Sequence, residues 1–170
     1  MKKVLFVCTG NYYRSRLAHL LFNHYAEEVD LDWKATSRGI QAAGLQGLSS
    51  HAHDYLDSKG LGHLCDDARN PASLSVDDFP SVDLSIILNR AEHSPLLEKR
   101  YRWVIDALEK EGKLRWWNIY DLPPRVSVKD MMFGGGPPNF GQPPDSATEH
   151  CDFAVQALVA ELKRKEIAAD

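Results

Sequence analysis

The stretch Val4-Leu5-Phe6-Val7-Cys8-Thr9-Gly10-Asn11-Tyr12-Tyr13-Arg14-Ser15, continuing into Arg16-Leu17-Ala18-His19-Leu20-Leu21, decides the architecture of this chain. Val4 to Val7 is a continuous apolar run, rich in β-branched and aromatic residues, and predicts a strand covered on both faces as in a parallel sheet. From Ser15 the period changes. Leu17, Leu20, Leu21 and Tyr25 recur at three- and four-residue spacing, which predicts an amphipathic helix with one buried stripe. The residues between run from the carboxyl end of a strand into a helix start, the place where α/β sheets bind ligands.

Outward from this unit the alternation repeats. Trp33 to Thr36 reads as a second strand, and Ser49-Ser50 offers a cap for a helix with Tyr55 and Leu56 on its core side and a stop at Lys59-Gly60. Asp83 to Leu88 reads as a third strand, followed by helix to roughly Gly112 and a fourth strand over Leu114 to Ile119. Ser146 and Glu149 form a capping-box pattern ahead of a stripe of Ala154, Val155, Leu158, Val159 and Leu162. Strands alternating with helices predict an α/β fold: a three-layer sandwich with a four-stranded parallel sheet and helices on both faces. One domain over 1–170 is expected, with a Gly/Pro-rich loop insertion at about 122–145 that is longer than compact domains usually carry.

Composition narrows the partners. Twenty Lys plus Arg against 24 Asp plus Glu give a net charge of -4, which leaves no basic excess for nucleic acid. No apolar run approaches the roughly 20 residues of a membrane helix, and the run after Met1-Lys2-Lys3 is too short for a signal-peptide core. A cytoplasmic protein without membrane partners is expected. The three cysteines, Cys8, Cys65 and Cys151, are widely spaced and contain no C-x-x-C, so they are neither a disulfide framework nor a zinc site. The histidines show no ligand spacing, and neither metal nor other cofactor is expected.

The loop itself carries chemistry. Backbone amides turning toward a helix start, with the helix dipole behind them, favour an anion, and phosphate is the natural guest. Gly10 and Asn11 tolerate the left-handed angles such a loop needs. Arg14 offers a planar fork to two oxygens, and an arginine at a helix start is itself unfavourable unless an anion is near. Cys8, at the base, is surrounded by groups that favour a thiolate, and Ser15 can donate a hydrogen bond to it. Thr9, Gly10, Asn11, Tyr12, Tyr13, Arg14 and Ser15 are thus the candidate phosphate-binding residues, with Cys8 as candidate nucleophile and inorganic phosphate or another oxyanion as ligand.

The C-x5-R-S segment directly after a first strand resembles the low-molecular-weight protein tyrosine phosphatase family. Ser37-Arg38-Gly39, Ala68-Arg69 and Asp83 to Leu88 extend the likeness over most of the chain. The resemblance implies hydrolysis of phosphomonoesters, protein phosphotyrosine in particular, through a phosphocysteine. It also implies a late aspartate as general acid. Trp117-Asn118-Ile119-Tyr120-Asp121-Leu122 matches that stretch, with Leu122 where proline is usual, so Asp121 is the candidate acid and Asp145 its competitor. Tyr13 stands where the family often has a second cysteine, which excludes an intraloop disulfide, and Leu122-Pro123-Pro124 replaces the tyrosine pair that clasps an aryl ester. The alternatives are an arsenate reductase on the same fold, relaying through Cys65 and Cys151, and a phosphate-binding regulatory module without turnover. The resemblance implies a phosphorylated protein or a small phosphomonoester as substrate.

Overall fold

Successive side chains of a strand point to opposite faces, and β1 (Lys2–Cys8) uses this to divide the molecule. Val4, Phe6 and Cys8 enter one apolar cluster and Leu5 and Val7 another, all of them buried. The computed structural model describes residues 1–66, 69–120 and 144–169. Within them β1 pairs in parallel with β2 (Trp33–Gly39) and with β3 (Leu84–Ile87), and β3 pairs in parallel with β4 (Leu114–Trp116). The strand order is β2-β1-β3-β4.

The two faces are covered by different helices. Leu17, Leu21 and Phe22 of α1 (Arg14–Glu28), Ala52 and Leu56 of α2 (Ser50–Ser58), and Val155, Leu158 and Leu162 of α4 (Pro144–Ile167) pack on the Val4 and Phe6 face. Leu97, Tyr101, Val104 and Ile105 of α3 (Arg90–Lys110), together with Leu74 and Phe79, cover the Leu5 and Val7 face. The predicted three-layer arrangement around a parallel four-stranded sheet is therefore the observed one. No helix among the described residues is long and apolar enough to cross a membrane.

Element limits differ from the sequence pattern where tertiary pairing intervenes. β2 continues to Gly39 because Ser37 and Arg38, polar as they are, pair with Phe6 and Val7. β4 ends at Trp116 rather than Ile119, although the amides of Trp117 and Ile119 still donate to the carbonyls of Ile87 and Leu88 at 2.8 Å. α2 is capped as expected, Ser49 Oγ accepting from the Ala52 amide at 3.2 Å, and the chain leaves through Gly60 at φ +73. α4 begins at Pro144, a residue suited to a first turn because its missing N–H has no helical acceptor there. Ser146 consequently lies inside the first turn, and the Ser146–Glu149 pattern does not mark the helix start. Residues 122–143 of the predicted insertion lie outside the described residues.

One buried carboxylate ties three helices together. Asp152 of α4 accepts from Tyr25 of α1 at 2.8 Å, from Tyr55 of α2 at 2.7 Å and from Gln156 at 2.8 Å. Burial and then the Asp152 carboxylate push the Tyr25 hydroxyl up to about 12 and the Tyr55 hydroxyl higher still. Asp152→Ala is expected to cost about 2–3 kcal/mol of stability in urea unfolding, because hydrogen bonds to an ionised group are lost at once. Tyr55→Phe, which removes only one of them, is expected to cost less than half as much in the same measurement.

Candidate active site

β1 lies between β2, the next strand in the chain, and β3, the one after that. Connections from β1 and β3 therefore diverge, and a crevice opens between the carboxyl ends of these two strands, the usual ligand position in open α/β sheets. Cys8 ends β1, and Asn89 to Glu92 begin α3 directly after β3. The two segments face each other across the crevice.

The loop from Cys8 to Tyr13 is held in shape from below. Asn11 takes the left-handed conformation, φ 51, as its type allows. Gly10 does not have positive φ, and a Cβ there would meet only the flexible end of the exposed Leu45 side chain, at 2.8 Å from Cδ1, so its conformation does not demand glycine. Gly39, at the end of β2, is more constrained: its Cβ would fall 2.7 Å from the Gly10 carbonyl carbon and 2.8 Å from the Asn11 nitrogen. Only a glycine lets the loop backbone lie against the strand. The Asn11 side chain then links the loop to its surroundings. Its Oδ1 accepts from the Ala72 amide at 3.0 Å and from Arg69 Nη1 at 3.3 Å, and its Nδ2 donates to Ser15 Oγ at 3.0 Å. Ser15 Oγ also hydrogen-bonds with Cys8 Sγ, 2.9 Å away, and donates to it once the sulfur is a thiolate, while the Asn11 amide donates to the same sulfur at 3.3 Å. Cys8 is 3% exposed, so these donors act on it with little competition from water.

Arg14 is the first residue of α1 and is 2% exposed. The anion that makes a buried guanidinium tolerable at a helix start is supplied by the protein itself. Glu92, across the crevice, binds it end-on, Nη1 to Oε2 at 2.8 Å and Nη2 to Oε1 at 2.7 Å, and Nη1 also donates to the Ile119 carbonyl at 2.9 Å. Glu92 Oε1 accepts from the Thr9 hydroxyl too, at 2.9 Å. Burial alone pushes the Glu92 carboxyl up, but the Arg14 hydrogen bonds and charge, with His93 and Thr9, hold it below the usual carboxylate range. Arg14 was expected to point at an incoming anion; it is anchored to an internal one first.

Above Cys8 opens a cavity of about 320 Å³ lined by Thr9, Gly10, Tyr12, Tyr13, Arg14, Leu45, Ser49 and His51. Tyr13 is buried and its ring meets His51 with centroids 5.7 Å apart, so both tyrosines of the loop contribute to the wall. Of the predicted loop residues, Cys8, Thr9, Gly10, Tyr12, Tyr13 and Arg14 line this cavity, while Asn11 and Ser15 are buried behind it. Asp121 lies outside the described residues, as does the side chain of Asp145, whose backbone belongs to the first turn of α4. Among the described residues no cluster could hold a metal ion.

The remaining cysteines differ from each other. Cys65 sits in a short 3-10 turn, its thiol pushed up by burial and by Asp57 and Asp66. Cys151, distant in sequence, lies in the same apolar cluster as Cys8 and donates to the Arg14 carbonyl at 3.6 Å. Complete burial pushes its thiol far up, so it is a packing residue under the first turn of α1. Glu92, Ser37, Arg69 and Ile119 are contributors that the motif did not single out. Glu92 carried a signal of a different meaning, since Asn89-x-x-Glu92 reads as a helix cap, and Asn89 Oδ1 does accept from the Glu92 amide at 3.0 Å.

With this geometry, a family model described as low molecular weight phosphotyrosine protein phosphatase matches residues 3–123. The chain belongs to this family. A curated low molecular weight protein-tyrosine-phosphatase, PtpB of Staphylococcus aureus, is 36% identical over 102 residues, 58% of this chain and 64% of that protein. The matched part thus spans under two thirds of that relative. Among solved structures, a low molecular weight phosphotyrosine phosphatase of Vibrio cholerae O395 superposes with TM-score 0.71 at 19% identity, covering 97% of this chain and 99% of that one. The YwlE arginine phosphatase of Geobacillus stearothermophilus superposes with TM-score 0.68 at 18% identity, covering 100% and 98%. At such identities these two establish the shared fold of the low-molecular-weight phosphatase family and nothing about substrate.

Behind the loop, Arg69 Nη2 donates to the carbonyl of Ser37 at 2.8 Å and to its Oγ at 3.1 Å. The Ser37 hydroxyl is thereby turned to His19 Nδ1, 3.2 Å away. Burial, then the charges of Arg69, Arg16, Lys34 and Arg38, lower His19 from 6.5 to about 3. The folded state therefore binds this proton less readily than the unfolded chain does. The resulting stability is fully present above pH 6.5 and is lost as pH falls toward about 3. Urea midpoints measured across that window are expected to fall with pH in the parent and to fall less steeply in His19→Gln.

Proposed function

We propose that this member of the family is a cysteine-dependent phosphomonoester hydrolase, in which Cys8 is the nucleophile, Arg14 and the loop amides hold the phosphoryl oxygens, and Asp121 is the general acid. The observation that carries this is Cys8 Sγ on the floor of the cavity, in hydrogen bonds with Ser15 Oγ at 2.9 Å and the Asn11 amide at 3.3 Å. Donors converging on sulfur stabilise its thiolate, the form that attacks. Glu92 holds the end-on fork of Arg14, the guanidinium that a bound oxyanion would share.

The reaction then follows in two steps. Cys8 thiolate attacks phosphorus in line, an S–P bond forms, and the bond to the leaving oxygen breaks as Asp121 gives that oxygen its proton. Water next attacks phosphorus, Asp121 takes a proton from it, the S–P bond breaks, and the thiolate returns with inorganic phosphate released. Fixed amides and a guanidinium aimed at the equatorial oxygens supply the charge stabilisation. The wall of Tyr12, Tyr13, Leu45 and His51 suits a planar aryl leaving group, which favours phosphotyrosine. The raised thiols of Cys65 and Cys151 argue against a disulfide relay, because the thiolate is the attacking species.

Hydrolysis of para-nitrophenyl phosphate in the presence of a chelator tests the mechanism. Cys8→Ser is expected to abolish turnover, and Asp121→Ala to lower kcat by about 100-fold or more. A larger loss in Asp145→Ala than in Asp121→Ala would transfer the acid role to Asp145. Phosphate binding without turnover in the parent would make the protein a regulatory module. The kcat/KM for phosphotyrosine peptides is expected to exceed that for phosphoarginine peptides, and the reverse order would reassign the substrate.

A further inference from the structure

His93 lies one residue beyond Glu92 in the first turns of α3 and is 0% exposed. Its two ring nitrogens are in unlike situations. Nδ1 is 3.0 Å from the Asn89 amide nitrogen and 2.7 Å from the Asn89 carbonyl oxygen. That carbonyl already accepts the His93 amide at 3.1 Å, whereas the buried Asn89 N–H has Nδ1 as its acceptor. Satisfying that N–H requires Nδ1 to be unprotonated. The 2.7 Å contact with the carbonyl would instead suit an Nδ1–H ring; in the tautomer that serves the amide the proton is on Nε2, which makes no hydrogen bond and stands 3.5 Å from Glu92 Oε1. Glu92 and Arg14 are the charged groups that face this ring among the described residues.

In that tautomer a fully buried donor stands 3.5 Å from a carboxylate oxygen without hydrogen-bonding to it, which is uncommon in a folded protein. The same Oε1 holds Arg14 Nη2 and the Thr9 hydroxyl, the two side chains of the loop that an oxyanion above Cys8 would draw on. We propose that His93 is a positioning residue, a reserve donor whose Nε2–H closes onto Glu92 Oε1 when a bound oxyanion draws Thr9 or Arg14 toward itself. Glu92 then stays in place, and Arg14 keeps its anchor through the transition state. The contact needs a shift of under an ångström to become a hydrogen bond. This role rests on the phosphatase mechanism proposed above.

The test separates the two nitrogens. His93→Asn keeps an acceptor near Asn89 but cannot reach Glu92, and His93→Gln places an amide nitrogen where Nε2 was. With para-nitrophenyl phosphate, kcat is expected to fall about tenfold in His93→Asn and to stay within about threefold of the parent in His93→Gln, as the loss or retention of one charge-assisted hydrogen bond dictates. Vanadate affinity is expected to follow the same order, and in a Glu92→Gln background His93→Asn is expected to add no further loss. Equal losses in the two His93 variants, or an undiminished effect in the Glu92→Gln background, would overturn the proposal. Turnover and vanadate binding by the parent report separately on the phosphatase mechanism. The imidazole 15N shifts of His93 report on the proposal even if the parent is inactive: an Nδ1–H tautomer would overturn it.

Discussion

A guanidinium that is almost wholly buried is the constraint around which this molecule is organised. Arg14 sits where a helix dipole already concentrates positive charge, and a buried charge is tolerated only when paired and fully hydrogen-bonded. Glu92, the Ile119 carbonyl and the Thr9 hydroxyl on Glu92 meet that demand. They come from the start of α3, the chain just beyond β4 and the loop directly after β1, so the pair joins the carboxyl ends of β1, β3 and β4 across the crevice. Removing either partner would leave a charge in a dry site and loosen the loop at the same time.

The sulfur depends on a second chain of contacts that runs the other way. Arg69 and the Ala72 amide fix Asn11, Asn11 fixes Ser15, and Ser15 Oγ hydrogen-bonds with Cys8 Sγ. Gly39 lets the loop lie close enough to β2 for this to happen. In the proposed mechanism one chain prepares the position for negative charge on sulfur and the other prepares a cation for oxygen. Both are preorganised before any ligand arrives, which is the form of electrostatic assistance that costs least at the moment of reaction.

Much of this was legible in local pattern. The shift from the apolar run Val4 to Val7 to the helical spacing of Leu17, Leu20 and Leu21 marks a buried strand followed by an amphipathic helix, because each element has its own hydrophobic period. Asn11 in a left-handed conformation follows from residue type. The limits of β2 and β4 were less legible, since Ser37 and Arg38 are strand residues by virtue of β1 beside them, and Ile119 leaves the strand despite its apolar side chain. Ser146 likewise has the residue type of a cap without the position of one.

The amino-acid sequence by itself determined the order of strands and helices, the loop that joins β1 to α1, and the gathering of Cys8, Asn11, Arg14 and Ser15 within a few residues of one another. These are short-range properties, set by backbone sterics and by the spacing of apolar side chains. Only the tertiary structure decided what Arg14 is paired with, that Glu92 turns away from a capping box toward it, that Arg69 supports Asn11, that Cys151 packs under α1, and which nitrogen of His93 faces a carboxylate. Each of those is a contact between residues from about 60 to 140 positions apart, or rests on one. The strand order around the crevice brings them together, and nothing in local spacing records it.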